Sequence, residues 1–197
     1  MNTEDLKVAD ILLSTGEAKQ SKAIRIGTGS PYSHAALYVG DGYIVEAIGI
    51  GVVRQSLERA MSDDVLVAVY RRINMSAAQA GQVVRYVKRQ VGKDYDAAGA
   101  IGAGVTSPRG FIISVFAGSL IPLAGPTLVG SALSADVMNR LNPEKKFFCS
   151  ELVALAFEHA GVPLVSGGAS ATPADLSSAH VLNHVGTLKE PASKDGR

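Results

Sequence analysis

The fold is decided by residues 32–48, which read YSHAALYVGDGYIVEAI. Two apolar runs, rich in β-branched and aromatic residues, flank Gly40-Asp41-Gly42, and this arrangement predicts a β-hairpin. His34 lies in the first run and Glu46 in the second. A buried imidazole needs a polar partner, and an unpaired carboxylate in an apolar strand is costly, so we expect the two side chains to pair.

The register of this hairpin decides whether His34 and Glu46 can meet. A two-residue turn at Asp41-Gly42 would place the two side chains on opposite faces of the hairpin. A three-residue loop at 40–42 places His34 opposite Ile48 and diagonal to Glu46 on the same face. Diagonal neighbours, about 7–8 Å apart, are within reach of a His–Glu pair. We predict the three-residue loop, which is a common hairpin connection.

The rest of the chain predicts further strands and helices around the hairpin. Strands are predicted at 8–13, 52–57 and 65–71. Helices are predicted at 17–26 and at 149–160. Two more helices are predicted, one after a capping box formed by Ser76 and Gln79 and one after the N-cap Thr172. We therefore predict an α+β fold in which a small, mainly antiparallel sheet packs against helices, including the helix that begins at Cys149.

Length and composition are those of one globular domain. The chain has 197 residues and a mass of 20.4 kDa, and its 47% hydrophobic residues exclude wholesale disorder. We assign 1–188 to a single domain that includes an apolar, Ala/Gly-rich insertion at 97–146. Residues 189–197 are polar and are predicted to form a flexible tail.

Charge and hydropathy narrow the range of partners and locations. The net charge is +1 and no block of Lys and Arg occurs, which argues against a nucleic-acid partner. Residues 110–135 carry no charge, but prolines and glycines interrupt them, so we favour short buried helices or an apolar flap over a spanning helix. This segment is a candidate for peripheral membrane contact. Acidic residues within 1–7 are untypical of a signal peptide, so we expect a cytoplasmic product, with non-classical export as its route to any external substrate.

The single cysteine, Cys149, excludes an internal disulfide framework and a multi-cysteine zinc site. At the start of a helix its thiol faces unpaired backbone N–H groups and the positive end of the helix dipole, which favour the thiolate. The same N–H groups can hold a developing oxyanion. A free cysteine also packs well as a small buried hydrophobe, so position alone leaves both interpretations open.

A nucleophilic cysteine needs a base, and His34 is the best candidate among the four histidines. Glu46 would orient its imidazole and leave the other ring nitrogen to take the thiol proton. His159 lies at the far end of the Cys149 helix. His180 and His184 have the spacing of two ligands on one helix face, but without a third ligand a solvated face is favoured, and we predict neither a metal nor a cofactor.

Six short motifs together identify a family resemblance. They are ADILL at 9–13, YSHAALYVG at 32–40, YIVEA at 43–47, GKDYD at 92–96, FCSELV at 148–153 and TPADL at 172–176. In this order they resemble the circularly permuted NlpC-like branch of the papain-like superfamily, in particular its YiiX-type members. The resemblance covers nearly the whole chain from Val8 to about Leu182. The histidine precedes the cysteine, which is the permuted order.

The resemblance implies a permuted papain-like catalytic domain with a Cys–His–polar triad. Cys149 would be the nucleophile, His34 the general base and acid, and Glu46 the group that orients His34. Asp10 is expected to be a structural acid at the sheet edge, with a place in the triad instead of Glu46 as the alternative.

Three more residues are predicted to bind substrate or to hold the oxyanion. The resemblance of GKDYD to a family motif suggests that Tyr95 lies near the site, although a structural hydroxyl bound to the backbone is an equal alternative. We place Ser150 and Tyr32 in the same group of predicted substrate-binding or oxyanion residues.

The leading functional hypothesis is a thiol hydrolase that cleaves an amide, in a peptide or a peptidoglycan stem peptide, through an acyl-enzyme on Cys149. One alternative keeps the triad but acts on lipid acyl esters, as a phospholipase or acyltransferase, with the apolar segment receiving an acyl chain. Another alternative is a non-catalytic binding module that has kept the fold. The presence of all three residues of the expected triad argues against a non-catalytic binding module.

Overall fold

The computed structural model describes residues 1–16, 25, 29–95, 146–147, 149–168 and 171–191. Of the predicted helix at 17–26, only Arg25 falls within this part, and it is helical. Almost all of the predicted insertion at 97–146, including the candidate membrane-contact segment 110–135, lies outside the described residues. Within the described residues, no helix is both long enough and apolar enough to cross a membrane.

The described residues form an α+β structure, as predicted. Its strands are β1 (Ile11–Gly16), β2 (His34–Gly40), β3 (Tyr43–Ile48), β4 (Gly51–Ser56), β5 (Asp64–Arg72), β6 (Asp94–Tyr95), β7 (Lys146–Phe147) and β8 (Leu182–Lys189). Its helices are a 3-10 turn at Thr3–Asp5, α1 (Leu57–Ala60), α2 (Ala77–Gln90), α3 (Cys149–His159) and α4 (Pro173–Ser178). One sheet has the order β4-β3-β2-β1-β5-β8, with every neighbouring pair antiparallel, and β6 and β7 form a short parallel pair.

The two faces of the main sheet have different partners, because successive residues of a strand point to opposite sides. Residues such as Leu13, Leu37 and Val45 form the large core cluster together with the buried faces of α2 and α3. On the other face, a smaller cluster includes Leu12 and Ile44, and it extends to α1. The large cluster fixes α3 against β2 and β3, so the first residue of that helix is held beside the sheet.

The β2–β3 hairpin has the predicted register but not the predicted loop. Ala36 pairs with Glu46, which puts His34 and Glu46 diagonally on one face. The loop is the two-residue turn Asp41-Gly42, and both residues have positive φ, 55° and 75°, as a type I′ turn requires. A register shift between Tyr38 and Gly40 restores the register that a three-residue loop would have given. The predicted pairing of the strands is therefore confirmed, whereas the predicted three-residue loop is wrong, because the bulge was not foreseen.

Two further features differ from the sequence prediction. The first strand begins at Ile11 rather than at residue 8, because Asp10 and the residues before it form a turn that Asp10 stabilises. His180 and His184 do not share the face of a helix that their spacing would allow, because His180 lies in a turn and His184 in the unpredicted strand β8. β8 is an edge strand that is buried only at its first residue, so its sequence lacks an apolar alternation.

The buried carboxylate of Asp10 ties the start of β1 to β5. It accepts hydrogen bonds from Arg71 Nε and Nη2, both at 2.6 Å, and from the backbone N–H of Lys7 at 2.8 Å. Its backbone carbonyl accepts from the N–H of Tyr38, four residues along β2 from His34. At about 3.3 Å per strand residue, this places Asp10 about 13 Å from the level of His34. Asp10 is therefore the structural acid of the prediction, and its alternative role as a triad member is wrong.

Replacement of Asp10 tests this structural role. Asp10→Ala leaves the guanidinium of Arg71 without its carboxylate, and because Arg71 is partly exposed we expect a loss of about 2–3 kcal/mol in the free energy of unfolding. The exposed Asp63→Ala is the matched control and should change stability by less than about 0.5 kcal/mol. Urea unfolding of both variants measures the difference. Equal stability of the two variants would contradict the assignment.

Candidate active site

The sulfur of Cys149 lies at the first residue of α3, where the helix meets β2 and β3. The residue is buried, with 7% of its surface exposed. The backbone N–H groups of Ser150 and of Ala35 donate hydrogen bonds to the sulfur. The thiolate is therefore stabilised from two sides, by the helix N-terminus expected from the sequence and by a backbone donor of the strand that carries His34.

The imidazole of His34 connects this sulfur to a carboxylate. Its Nε2 lies 2.5 Å from Oε2 of Glu46, on the face of the sheet that the hairpin register predicts. The Glu46 side chain is almost completely buried, whereas a quarter of the His34 side chain remains exposed. His34 also makes a side-chain hydrogen bond with Cys149. Because Nε2 is occupied by Glu46, Nδ1 is the nitrogen left for the sulfur.

The carboxylate of Glu46 has a second partner that the sequence analysis missed. Nε2 of Gln55 donates a hydrogen bond to Oε1 of Glu46. In the β3–β4 pairing Gln55 lies opposite Ile44, so it is diagonal to Glu46 on the same face. The alternation of β4 could have revealed this contact had its register been predicted. Gln55 and His34 together hold both oxygens of the carboxylate in place.

The electrostatics of the three groups favour a thiolate–imidazolium pair. Burial disfavours the charged form of His34, but the neighbouring Cys149 and Glu46 outweigh it and raise the pKa of His34 well above its ordinary value. Burial likewise raises the pKa of Cys149, yet the charge and hydrogen bond of His34 and the two backbone N–H groups bring it below the ordinary value. Burial raises the pKa of Glu46, and the bonds from His34 and Gln55 lower it overall.

The three residues predicted to bind substrate or to hold the oxyanion lie in three different parts of the structure. The hydroxyl of Ser150 is buried and donates to the carbonyl of Ala171 at 2.6 Å, so only its backbone N–H faces the sulfur. Tyr32 is packed in the large core cluster, and its hydroxyl lies 3.2 Å from that of Tyr70. The backbone of Tyr95 lies in β6, beside β4. Roles of these three residues toward substrate or oxyanion stay predictions.

No group of three or more His, Cys, Asp or Glu side chains that could hold a metal ion occurs in the part of the chain that the structure describes. Hydrogen bonds join the side chains of the site in series, from the sulfur of Cys149 to His34, from His34 to Glu46 and from Glu46 to Gln55. The arrangement is therefore suited to proton transfer between a thiol and an imidazole, with a carboxylate that fixes the ring.

Comparisons with known proteins give the family and the fold to which the chain is similar. Residues 5–99 match the model of a family described as "Permuted papain-like amidase enzyme, YaeF/YiiX, C92 family". The chain is 30% identical over 203 residues to the "Probable lipoprotein peptidase YaeF" of Escherichia coli (strain K12), covering 94% of this chain and 72% of that protein. The crystal structure of the metalloprotein yiiX from Escherichia coli O157:H7 has the same fold, with a TM-score of 0.61 at 19% identity over 93% of this chain and 97% of that one.

Alkylation of Cys149 tests the electrostatics of the site. Iodoacetamide reacts with the thiolate, so the lowered pKa of Cys149 predicts that labelling reaches half its maximal rate below the ordinary thiol value of 9.0. In His34→Ala the burial remains while the stabilising charge is lost, so the midpoint should rise and labelling at neutral pH should slow. His159→Ala, at the other end of α3, is the matched control. Equal pH profiles of His34→Ala and His159→Ala would refute the ion pair.

Proposed function

Because the chain belongs to the family of permuted papain-like amidases that includes YaeF and YiiX, we propose that it hydrolyses an amide bond through an acyl-enzyme on Cys149. The observation that carries this proposal is the continuous chain of contacts from the sulfur of Cys149 through His34 to Glu46. A binding module has no need of a buried thiol paired with an imidazole, because the desolvation of both groups is costly.

In the first half of the proposed reaction, the thiolate attacks the carbonyl carbon of the amide. The carbon–sulfur bond forms while the carbonyl oxygen takes up the negative charge, and N–H groups at the start of α3 stabilise it. His34, which holds the proton taken from the thiol, delivers it to the amide nitrogen. The carbon–nitrogen bond then breaks, an amine leaves, and the acyl group remains on Cys149 as a thioester.

In the second half, water replaces the sulfur on the acyl carbon. The neutral imidazole of His34 takes a proton from the attacking water, and the carbon–sulfur bond breaks to release a carboxylic acid. The thiolate and the imidazolium are restored together. Glu46 holds the ring in one orientation through both halves and stabilises its charged form, while Gln55 holds Glu46. These are positioning roles, since neither residue touches the reacting atoms.

The substrate class that we propose is a peptide. The relative named a probable lipoprotein peptidase supports an amide of a peptide as the target, and its name makes a lipid-modified peptide the first substrate to test beside a peptidoglycan stem peptide. An ester of a phospholipid is also an acyl compound that a thiolate can attack. The triad does not distinguish these acyl groups, so the substrate has to be identified from the products.

A paired product assay tests the proposed reaction. The protein is incubated separately with a lipid-modified peptide, with muropeptides and with phospholipid vesicles, and Cys149→Ser is the control in each case. We expect a new free amine from the lipid-modified peptide and a transient mass increase on Cys149, both lost in the variant. The rate should fall on the order of 10³-fold or more when the nucleophile is replaced.

The products separate the remaining hypotheses. A new amine from muropeptides would identify a peptidoglycan amidase, and fatty acid released from vesicles would identify a lipid acyl hydrolase. Amine release at equal rates by the protein and by Cys149→Ser would contradict the acyl-enzyme. A labelled, reactive Cys149 that releases no product from any of the three substrates would favour the binding module.

A further inference from the structure

A β-bulge in β5 turns a second carboxylate toward the His34 face of the sheet. Thr15 pairs with Leu66, but the next pair is Gly16 with Asp64, so Val65 is an extra residue on β5. Gly16 and Ser14 lie on the same face of β1, and Ser14 is opposite His34 on β2. The bulge therefore places Asp64 on the side of the sheet that carries the imidazole.

The contacts of Asp64 hold it in this position. Its carboxylate makes a hydrogen bond with the buried side chain of Ser14. It also interacts electrostatically with His34, with Glu46 and with Lys189 on β8. The ammonium of Lys189 is fixed by the carbonyls of Met61 and Ser62, at 2.9 and 3.2 Å. Asp64 is half-buried, so these interactions are screened less than those of a fully exposed group.

We propose that Asp64 is a positioning residue of the active site, which Ser14 holds in place and which stabilises the imidazolium form of His34. This inference rests on the proposed thiolate–imidazolium mechanism and extends it from three groups to four. The charge of Asp64 acts on His34 through space from β5, whereas Glu46 acts through a direct bond from β3.

Asp64 is expected to act on the alkaline limit of the reaction, which is the pH above which the rate of hydrolysis falls. Above that limit the imidazolium of His34 loses its proton, and a nearby negative charge delays the loss. In the described part of the chain, Cys149 on α3 and Glu46 on β3 contact His34 directly, and Asp64 on β5 interacts with it by charge from the same side of the sheet. Burial and the charge of Glu46 raise the pKa of Asp64, while Ser14, His34 and Lys189 oppose this increase. Asp64 is ionised in the alkaline range, where its charge is needed.

The pH dependence of Asp64→Asn tests the inference. The measurement is the rate of Cys149 alkylation and of amide hydrolysis as a function of pH. We expect the alkaline limit of hydrolysis to move down by about half to one pH unit, with a three- to tenfold lower rate above it and a smaller change on the acid side. Asp63→Asn removes the same charge from the neighbouring exposed residue and should leave the profile unchanged.

A second variant keeps the test decisive if Asp64→Asn does not fold. Ser14→Ala removes the hydroxyl that holds the carboxylate of Asp64 but not its charge. The alkaline limit of this variant should therefore move in the same direction by a smaller amount. Profiles of Asp64→Asn and Ser14→Ala that coincide with that of Asp63→Asn would overturn the inference. If alkylation of the unmodified protein shows an ordinary thiol pKa, the proposed ion pair itself fails, and the two failures are thereby distinguished.

Discussion

The contact between the sulfur of Cys149 and the imidazole of His34 is the constraint on which the proposed active site depends. It joins the first residue of α3 to the first residue of β2, two positions more than a hundred residues apart in sequence. The large core cluster packs this helix against the sheet and so brings the two groups together. Without that packing, neither the helix terminus nor the hairpin would form a reactive site.

Burial opposes every charge in this site, so the charges persist only as a connected set. Desolvation acts against the thiolate, the imidazolium and the carboxylate alike. Each is offset by its neighbours: backbone N–H groups at the sulfur, Glu46 at the imidazole and Gln55 at the carboxylate. Removal of one member leaves the next one buried and unpaired, which makes the site a single electrostatic unit.

Much of the fold and the three central residues could be predicted from local patterns. The alternation around Gly40-Asp41-Gly42 predicted the hairpin, and the cost of burying Glu46 alone predicted its pairing with His34. The features that were missed depend on irregular or long-range pairing. In β2 a bulge gives the register that had been predicted from a longer loop, and in β5 a bulge puts Asp64 on the His34 face of the sheet. The edge strand β8 has no apolar alternation from which it could be predicted. Bulges respond to packing across the sheet, which a single sequence does not display.

The most direct test of the central claim is the thiolate absorbance of the protein in the ultraviolet, measured against Cys149→Ser over the full pH range. Because Cys149 is the single cysteine, the difference between the two spectra reports its ionisation alone. The account predicts that this difference develops below the ordinary thiol pKa of 9.0, because the charge and the hydrogen bond of His34 lower the pKa of Cys149. A difference that develops only at or above that value would show a neutral buried thiol and would contradict the account.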